Sequence, residues 1–561
     1  MTIDSSNFEA TAKNGMVTAS HPLAAQAGLE IMKRGGNAID AAIATAFVLT
    51  VVDPCMCSIA GRGEMNIYTA GDCKVRNLEF VAECGGKARP NMFEVLPREP
   101  GSWWKVKEDA NDVGYQSICV PTALSGLCIA LDTFGTLELG DVIQPAIMIA
   151  DNGFEVDARL EDTIDSNFEK LMRFPATARI FCPQGRPLMR GETLYMKDYA
   201  TTLNKIATEG PDVFYKGELA EAIVKDMAAN GGLVTEEDLA NYATNITEPK
   251  KIPYREYEVV SGSPYCSGGR LVLQSLNILE HFDLVGLGET SPQYVHLLAE
   301  AFKRAFADRL EYEADPNFTR IPADGMLSKE YAAELKDQIS LDKATQKVAP
   351  GNPWRYQDGG RSVQRSSRPP RGGSNTTHLC TADKEGNMVA LTETLCGGYG
   401  SGVTIPGTGI IMNNGMYWFN PVPGSSNSIQ PGKRHVANMA ATLVLKDGEA
   451  MLATGSAGGR RILTTVTEML IRALDFKQGV QAVASPRFHI EDEEPIQIEQ
   501  SFYEKIPLAH SLVRALGAMG HRIDVLQSIC IGCMITRDLE TGMLQGAAEP
   551  RQHRLGLIRT Y

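Results

Sequence analysis

The sequence predicts an α+β fold of stacked layers. Two observations carry this. Residues 120 to 245 are dominated by helical periodicity, whereas after Thr376 the apolar runs become short and strand-like. Between them, Gly351 to Gly373 is rich in Pro, Gly and Arg and nearly free of apolar residues, so order is expected to lapse there.

The elements follow in order. Pro22 to Lys33 reads as an amphipathic helix stopped at Gly35-Gly36. Ala38 to Val52 is small and apolar throughout, a buried helix ended by Asp53-Pro54. Ile59 to Glu64 is a Gly-containing turn feeding a strand, Met65 to Tyr68; it lacks the Gly-Lys-Ser/Thr ending of a P-loop. Helices are expected at Pro121–Phe134, Leu139–Asn152, Leu160–Met172, Ala200–Glu209, Gly217–Asn230, Leu271–Leu279 and Pro292–Glu313, with a strand at Tyr254–Val260. In the last third, strands are expected at Leu379–Asp383, Met388–Leu395, Thr408–Met412, Ala441–Lys446, Glu449–Thr454, Pro495–Ile498, Asp524–Val525 and Cys530–Arg537. Helices are expected there at Arg460–Phe476 and Pro507–Met519.

Of 561 residues 43% are apolar and 22% charged, enough for a large core. The net charge of −14, without a basic block, argues against nucleic acid or an anionic membrane as partner. The first residues are polar and acidic, without a basic-then-apolar pattern. Ala41 to Val52 is about twelve residues, against the roughly 20 of a membrane span, so a cytoplasmic location is expected. Twelve cysteines are scattered, with only Cys55/Cys57 and Cys530/Cys533 close together. Neither pair has a second CxxC or adjacent histidines, so reduced, mostly buried thiols are expected, with no metal and no cofactor.

Ser374-Asn375-Thr376-Thr377-His378 lies where the Gly/Pro/Arg-rich run meets a hairpin. It is either a loop entering that hairpin or a self-cleavage site between Asn375 and Thr376. A threonine hydroxyl needs a base within reach. A newly freed Thr376 would carry its own, an α-amine of reference pKa roughly 7.7–8.0, and a threonine with an amino-terminal base is a working variant of the triad. Gly458-Gly459, between a strand and a helix, could supply backbone N–H groups to an oxyanion or could be a plain turn.

Asn375-Thr376-Thr377-His378 with Asp383 to Ala390 resembles the start of the small subunit of γ-glutamyltranspeptidases. Further segments resemble that family in order: Gly35 to Ala42, Asp238 to Tyr242, Ser267 to Gly269, Ala307 to Arg309, Asn413-Asn414, Pro431 to Arg434, Thr454 to Gly459, Pro486 to His489 and Gly546 to Arg551. The resemblance implies an N-terminal-nucleophile hydrolase with an αββα four-layer sandwich. It implies a large subunit, residues 1–375 with an exposed pro-segment at about 345–375, and a small catalytic subunit of 561 − 375 = 186 residues, together one catalytic domain. Thr376 would form the acyl-enzyme, Thr394 would hold its hydroxyl on the same strand face as Thr392, and Gly458 and Gly459 would bind the oxyanion. The implied partners are a small-molecule amide, the two fragments of one precursor, and a second processed heterodimer.

The chain departs from that family where the amino-acid part of the substrate is gripped. An arginine's place holds Pro90, with Arg89 beside it, and two serines become Ala437-Asn438. Groups that hold the substrate amine become Cys396, Gly415 and Trp418, and a Gly-rich run becomes Ala60-Gly61-Arg62-Gly63-Glu64. A γ-glutamyl group is therefore not the expected acyl donor. Arg62, Arg89 and Arg460 could bind a carboxylate or serve ordinary ion pairs. The expected function is an autoprocessed threonine amidohydrolase or acyltransferase acting on a small carboxylate-bearing substrate. The alternatives are a γ-glutamyl hydrolase or transpeptidase, and an uncleaved inactive relative with a binding role. The lid of the site, Asn420 to Gly432, has no aromatic residue and is expected to close loosely or not at all.

Overall fold

The structure, a computed structural model, describes residues 8–97, 103–359, 375–501, 509–526, 528–552 and 557–561. Its first strands are β1 (Glu9–Ala12), β2 (Gly15–Thr18), β3 (Arg62–Thr69), β4 (Lys74–Phe80), β5 (Phe154–Glu155), β6 (Thr193–Leu194) and β7 (Asn245–Thr247). Then come β8 (Lys251–Tyr254), β9 (Tyr257–Ser261), β10 (Asn375–Asp383), β11 (Met388–Cys396), β12 (Thr442–Lys446) and β13 (Glu449–Ala457). The last are β14 (Phe488–His489), β15 (Ile496–Glu499), β16 (Ile523–Leu526), β17 (Ile531–Arg537), β18 (Leu544–Ala548) and β19 (Ile558–Thr560).

Two antiparallel sheets form the centre, ordered β1-β18-β17-β13-β12-β9-β8 and β19-β2-β10-β11-β3-β4-β7. Strand side chains alternate between faces, so each sheet has an inner and an outer side. Cys380, Ala382, Met388, Ala390, Leu443, Ala453, Cys533 and Ile535 pack between the sheets. Leu379, Val389 and Leu391 point the other way, onto the helices Pro22–Lys33 and Ala38–Val52. The second sheet's partner covers its own outer side with Ser267–Leu279, Pro292–Tyr312 and Arg461–Leu474. This is the αββα sandwich.

Local chemistry explains the helix ends. Asn37 caps Ala38–Val52 through a capping box with Asp40, and every residue of that helix is buried. The 310 turn Pro353–Tyr356 lies inside the run expected to lose order, with Pro353 and Trp354 buried. Residues 360–373 of that run, and Ser374 after it, fall outside the described residues.

Several elements differ from expectation. Tyr254–Val260 is two strands, β8 and β9, turning at Arg255, whose φ is 54°. Leu160–Met172 is two helices, Ala158–Ser166 and Phe168–Met172, divided at Asn167. Thr408–Met412 forms no strand; only a lone bridge joins Thr404 to Ile411. β1, β2 and β4 were not anticipated, and they show that the amino-terminal part supplies strands to both sheets.

Candidate active site

Thr376 lies at the start of β10, at a bulge: Asn375 pairs with Cys396 and Thr377 with Glu393, leaving Thr376 unmatched. A bulge re-aims a side chain and interrupts the ladder, so the proposed scissile bond sits where the strand is locally irregular. Beyond the bulge, Thr376, His378 and Cys380 share the inner face. Thr377 faces outward, its Oγ1 2.9 Å from Ser20 Oγ, which donates to Asp53 at 3.0 Å.

Thr376 Oγ1 donates to Thr394 Oγ1 at 3.5 Å, and both residues are buried. With Asn375 still joined to Thr376, the Thr394 hydroxyl donates to the Asn375 carbonyl oxygen, and it accepts from the Cys396 amide at 2.8 Å. One hydroxyl thus touches both the nucleophile and the carbonyl it would attack. Asn375 Nδ2 donates to Cys55 Sγ at 3.0 Å, which anchors the other side of that bond.

The Gly pair lies opposite. Asn66 on β3 donates to the Ala441 carbonyl before β12, and Tyr68 to that of Gly448 after it, so β3 and β12 run the same way. β10 is two antiparallel pairings from β3, and β13 one from β12. β10 and β13 therefore run in opposite senses across the sandwich. Gly455 abuts the His378 ring. Stepping back from His378 to Thr376 leads forward on β13 to Gly458-Gly459. Their φ values are 146° and 66°, and a Cβ on Gly458 would lie 2.4 Å from Cys530 Sγ, so only glycine fits there. Neither amide donates to a backbone carbonyl among the described residues.

Arg62 pairs directly with Thr394 across β3 and β11, so nucleophile, second threonine and arginine form one row over three strands. It is 2% exposed. Its Nε donates to Cys396 Sγ at 3.0 Å, and its Nη1 has no partner among the described residues. No carboxylate pairs with it among those residues. Cys396 itself is held at φ 85°, and burial raises its thiol pKa.

The other expected site residues are placed differently. Arg460 Nη1 donates to Glu491 at 2.9 Å and its guanidinium lies over the Trp103 ring, so it serves an ion pair. Arg89 is exposed, outside any helix or strand. Trp418 is buried in the 310 turn Gly415–Trp418, edge-on to Trp103 at 5.1 Å, with no partner for its Nε1 among the described residues. A side chain on Gly415 would meet Cys119 Sγ at 2.7 Å, so the space of the family's longer residue is filled. Asn438 Oδ1 accepts from Arg309 Nη2 at 2.5 Å, which orients the amide with Nδ2 as its remaining donor. Arg309, not anticipated as a site residue, is pushed down to about 10 by burial, then by the Arg460 charge. The quoted Ala307-Asp308-Arg309 segment was its available signal. The lid is better fixed than expected: Asn427 donates to the Trp418 carbonyl at 2.8 Å and accepts from the Val436 amide at 3.0 Å.

The γ-glutamyltranspeptidase family model matches residues 24–557. The chain belongs to the γ-glutamyltranspeptidase family. It is 40% identical over 540 residues to an acylase ACY 1 proenzyme of Pseudomonas sp. (strain SE83), covering 96% of this chain and 92% of that one. It is 35% identical to a glutathione hydrolase proenzyme of Bacillus subtilis (strain 168), covering 96% and 90%. The cephalosporin acylase from Bacillus halodurans superposes with a TM-score of 0.87 at 30% identity, covering 100% and 98%. This member of the family is thus an N-terminal-nucleophile enzyme, an autoprocessed threonine amidohydrolase or acyltransferase. No described helix is long and apolar enough to cross a membrane.

Proposed function

We propose that the chain cuts itself between Asn375 and Thr376 and then hydrolyses amides whose acyl group carries a carboxylate and no ammonium. In the first step Thr376 Oγ1 attacks the Asn375 carbonyl carbon while Thr394 donates to its oxygen. The amide becomes an ester as the C–N bond breaks and frees the Thr376 amine, and water then cleaves the ester to the Asn375 carboxylate and the Thr376 hydroxyl. In turnover that amine takes the Thr376 hydroxyl proton, the Gly458 and Gly459 amides hold the oxyanion, and the leaving amine receives the proton. Water then resolves the acyl ester.

One observation supports the substrate class: the Arg62 guanidinium beside Thr394, which has no carboxylate partner among the described residues. Where the family pattern places groups that hold an ammonium, this chain has Cys396, bonded to a cation, and Gly415 and Trp418. A buried unpaired charge costs several kcal/mol. A substrate carboxylate would relieve that cost, whereas a γ-glutamyl ammonium would add to it. The names of the acylase relatives fit amide hydrolysis.

Rates should be compared for succinyl, glutaryl and oxamyl amides beside a γ-glutamyl anilide. The carboxylate-only amides are expected to have the higher kcat/KM; saturable, faster γ-glutamyl turnover overturns the reading. On a denaturing gel the wild type is expected as two bands with Thr376 as a new amino terminus, and Thr376→Ala as one inactive band. Two bands from that variant would refute the nucleophile.

A further inference from the structure

Among the described residues, two buried clusters bring metal-ligating atoms within 4.8 Å of one another: His378, Cys380 and Cys533, and His296, Glu300 and His521. Bond lengths separate them. With Zn–S about 2.3 Å and Zn–N about 2.0–2.1 Å, a tetrahedral ion sets edges of about 3.8 Å for S···S, about 3.6 Å for S···N and about 3.3 Å for N···N. In the second cluster His296 Nδ1 and His521 Nε2 are 2.8 Å apart, too close for that edge. Glu300 is also committed to Lys303 and Arg304, whose buried charges oppose a cation.

The first cluster comes closer to these edges, its three ligand atoms lying within 4.8 Å of one another. Cys380 Sγ and Cys533 Sγ are 3.8 Å apart, and Cys380 Sγ lies 3.3 Å from His378 Nε2. The cysteines come from facing sheets, on β10 and β17, in the inner apolar layer. His378 Nδ1 lies 2.8 Å from Thr392 Oγ1. Donation from Nδ1 to that hydroxyl leaves the Nε2 lone pair facing the thiols, as metal-bound histidines require. Space for the ring is reserved: a Cβ on Gly455 would lie 2.2 Å from His378 Cε1. The set is soft, two sulfurs and an imidazole, which selects zinc or cuprous ions over calcium or magnesium.

We propose that His378, Cys380 and Cys533 form a binding site for one thiophilic d10 cation, with zinc as the probe, that ties the two sheets together behind the nucleophile. Binding exchanges two S–H protons for two Zn–S bonds, both protons leave to solvent, and no electrons move. Zn2+ with two thiolates and a neutral imidazole has no net charge, which suits an apolar layer. Thr376, His378 and Cys380 lie on one face of β10, so the ion, held between the second and third of them, would sit about 10 Å along the strand from Thr376. The site does not depend on the acyl group proposed above.

Full-length protein expressed with zinc and passed over a desalting column should be assayed by elemental analysis. About one zinc per chain is expected, falling at least fivefold in Cys380→Ser and in Cys533→Ser, and unchanged in Cys73→Ser, whose thiol is exposed. Wild type without zinc, or serine variants that keep it, would overturn the site. Should those variants fail to fold, cobalt-loaded wild type decides: thiolate-to-cobalt charge-transfer absorption is expected, and its absence refutes the proposal. A Cys380–Cys533 disulfide in the isolated protein, seen as a mass lower by about 2 Da, would also refute it, because both thiolates would be consumed.

Discussion

At the scale of single residues, chemistry in this protein turns on who is left without a partner. Arg460 follows the Gly pair and looks suited to a carboxylate, yet Glu491 already neutralises it. Among the described residues Arg62 bonds only to a sulfur. Removing it should therefore act on substrate binding more than on the fold. A charge-assisted contact contributes about 1.5–3 kcal/mol. Arg62→Leu is expected to lower kcat/KM for carboxylate-bearing amides roughly 10- to 150-fold. Neutral acyl amides should change little, and self-cleavage on a gel should persist. An equal loss on neutral acyl amides would show that Arg62 supports the fold and not the acyl carboxylate.

At the scale of elements, β11 carries opposite tasks on its two faces. Thr392 and Thr394 face the sandwich interior and the nucleophile's row, whereas Glu393 faces the outer helix layer. Neither Glu393 carboxyl oxygen has a partner among the described residues. Burial pushes this group from 4.5 up to about 8, and its charge is felt at Cys57 and Tyr199. A raised carboxyl pKa means the folded chain keeps a proton that the unfolded chain has released. The stabilisation is complete below about pH 4.5 and is lost progressively as pH rises through about 8. Glu64 and Glu79 are pushed up to about 8 as well, so the difference between variants is the informative quantity. Between about pH 5 and pH 8.5, Glu393→Gln should lose less Tm than wild type. Parallel curves would show that Glu393 is not the group responsible.

At the scale of the whole molecule, the proposed cut does not divide the protein into separable bodies. The β10–β11 hairpin lies between β2 and β3 of the amino-terminal part, and β12 pairs with β9. Each proposed fragment thus exposes unpaired sheet edges and half of an apolar core without the other. After cleavage the two chains should elute together on gel filtration without denaturant, and residues 376–561 expressed alone should be insoluble. Independent elution of the two chains would contradict this interlocking. The same interleaving explains what sequence periodicity missed. The helix-rich and strand-rich parts read as successive regions, yet short strands such as β1 and β2, four residues each, give little periodic signal and enter sheets built mainly elsewhere.

The candidate nucleophile, the proposed cut site and the Gly pair can be picked out in the chain because each is a short contiguous motif whose chemistry would reside in its own backbone. Thr376 needs only the amine that cleavage frees, and Gly458 needs only a φ that side chains resist. Burial, charge pairing and ligand sets come from contacts far apart in sequence. Arg62 meets Cys396 334 positions away, and Cys380 meets Cys533 153 positions away. Close cysteine spacing drew attention to Cys55/Cys57 and Cys530/Cys533. Sheet packing instead placed Cys533 against β10, because facing inner surfaces, and not neighbours along the chain, decide which side chains touch.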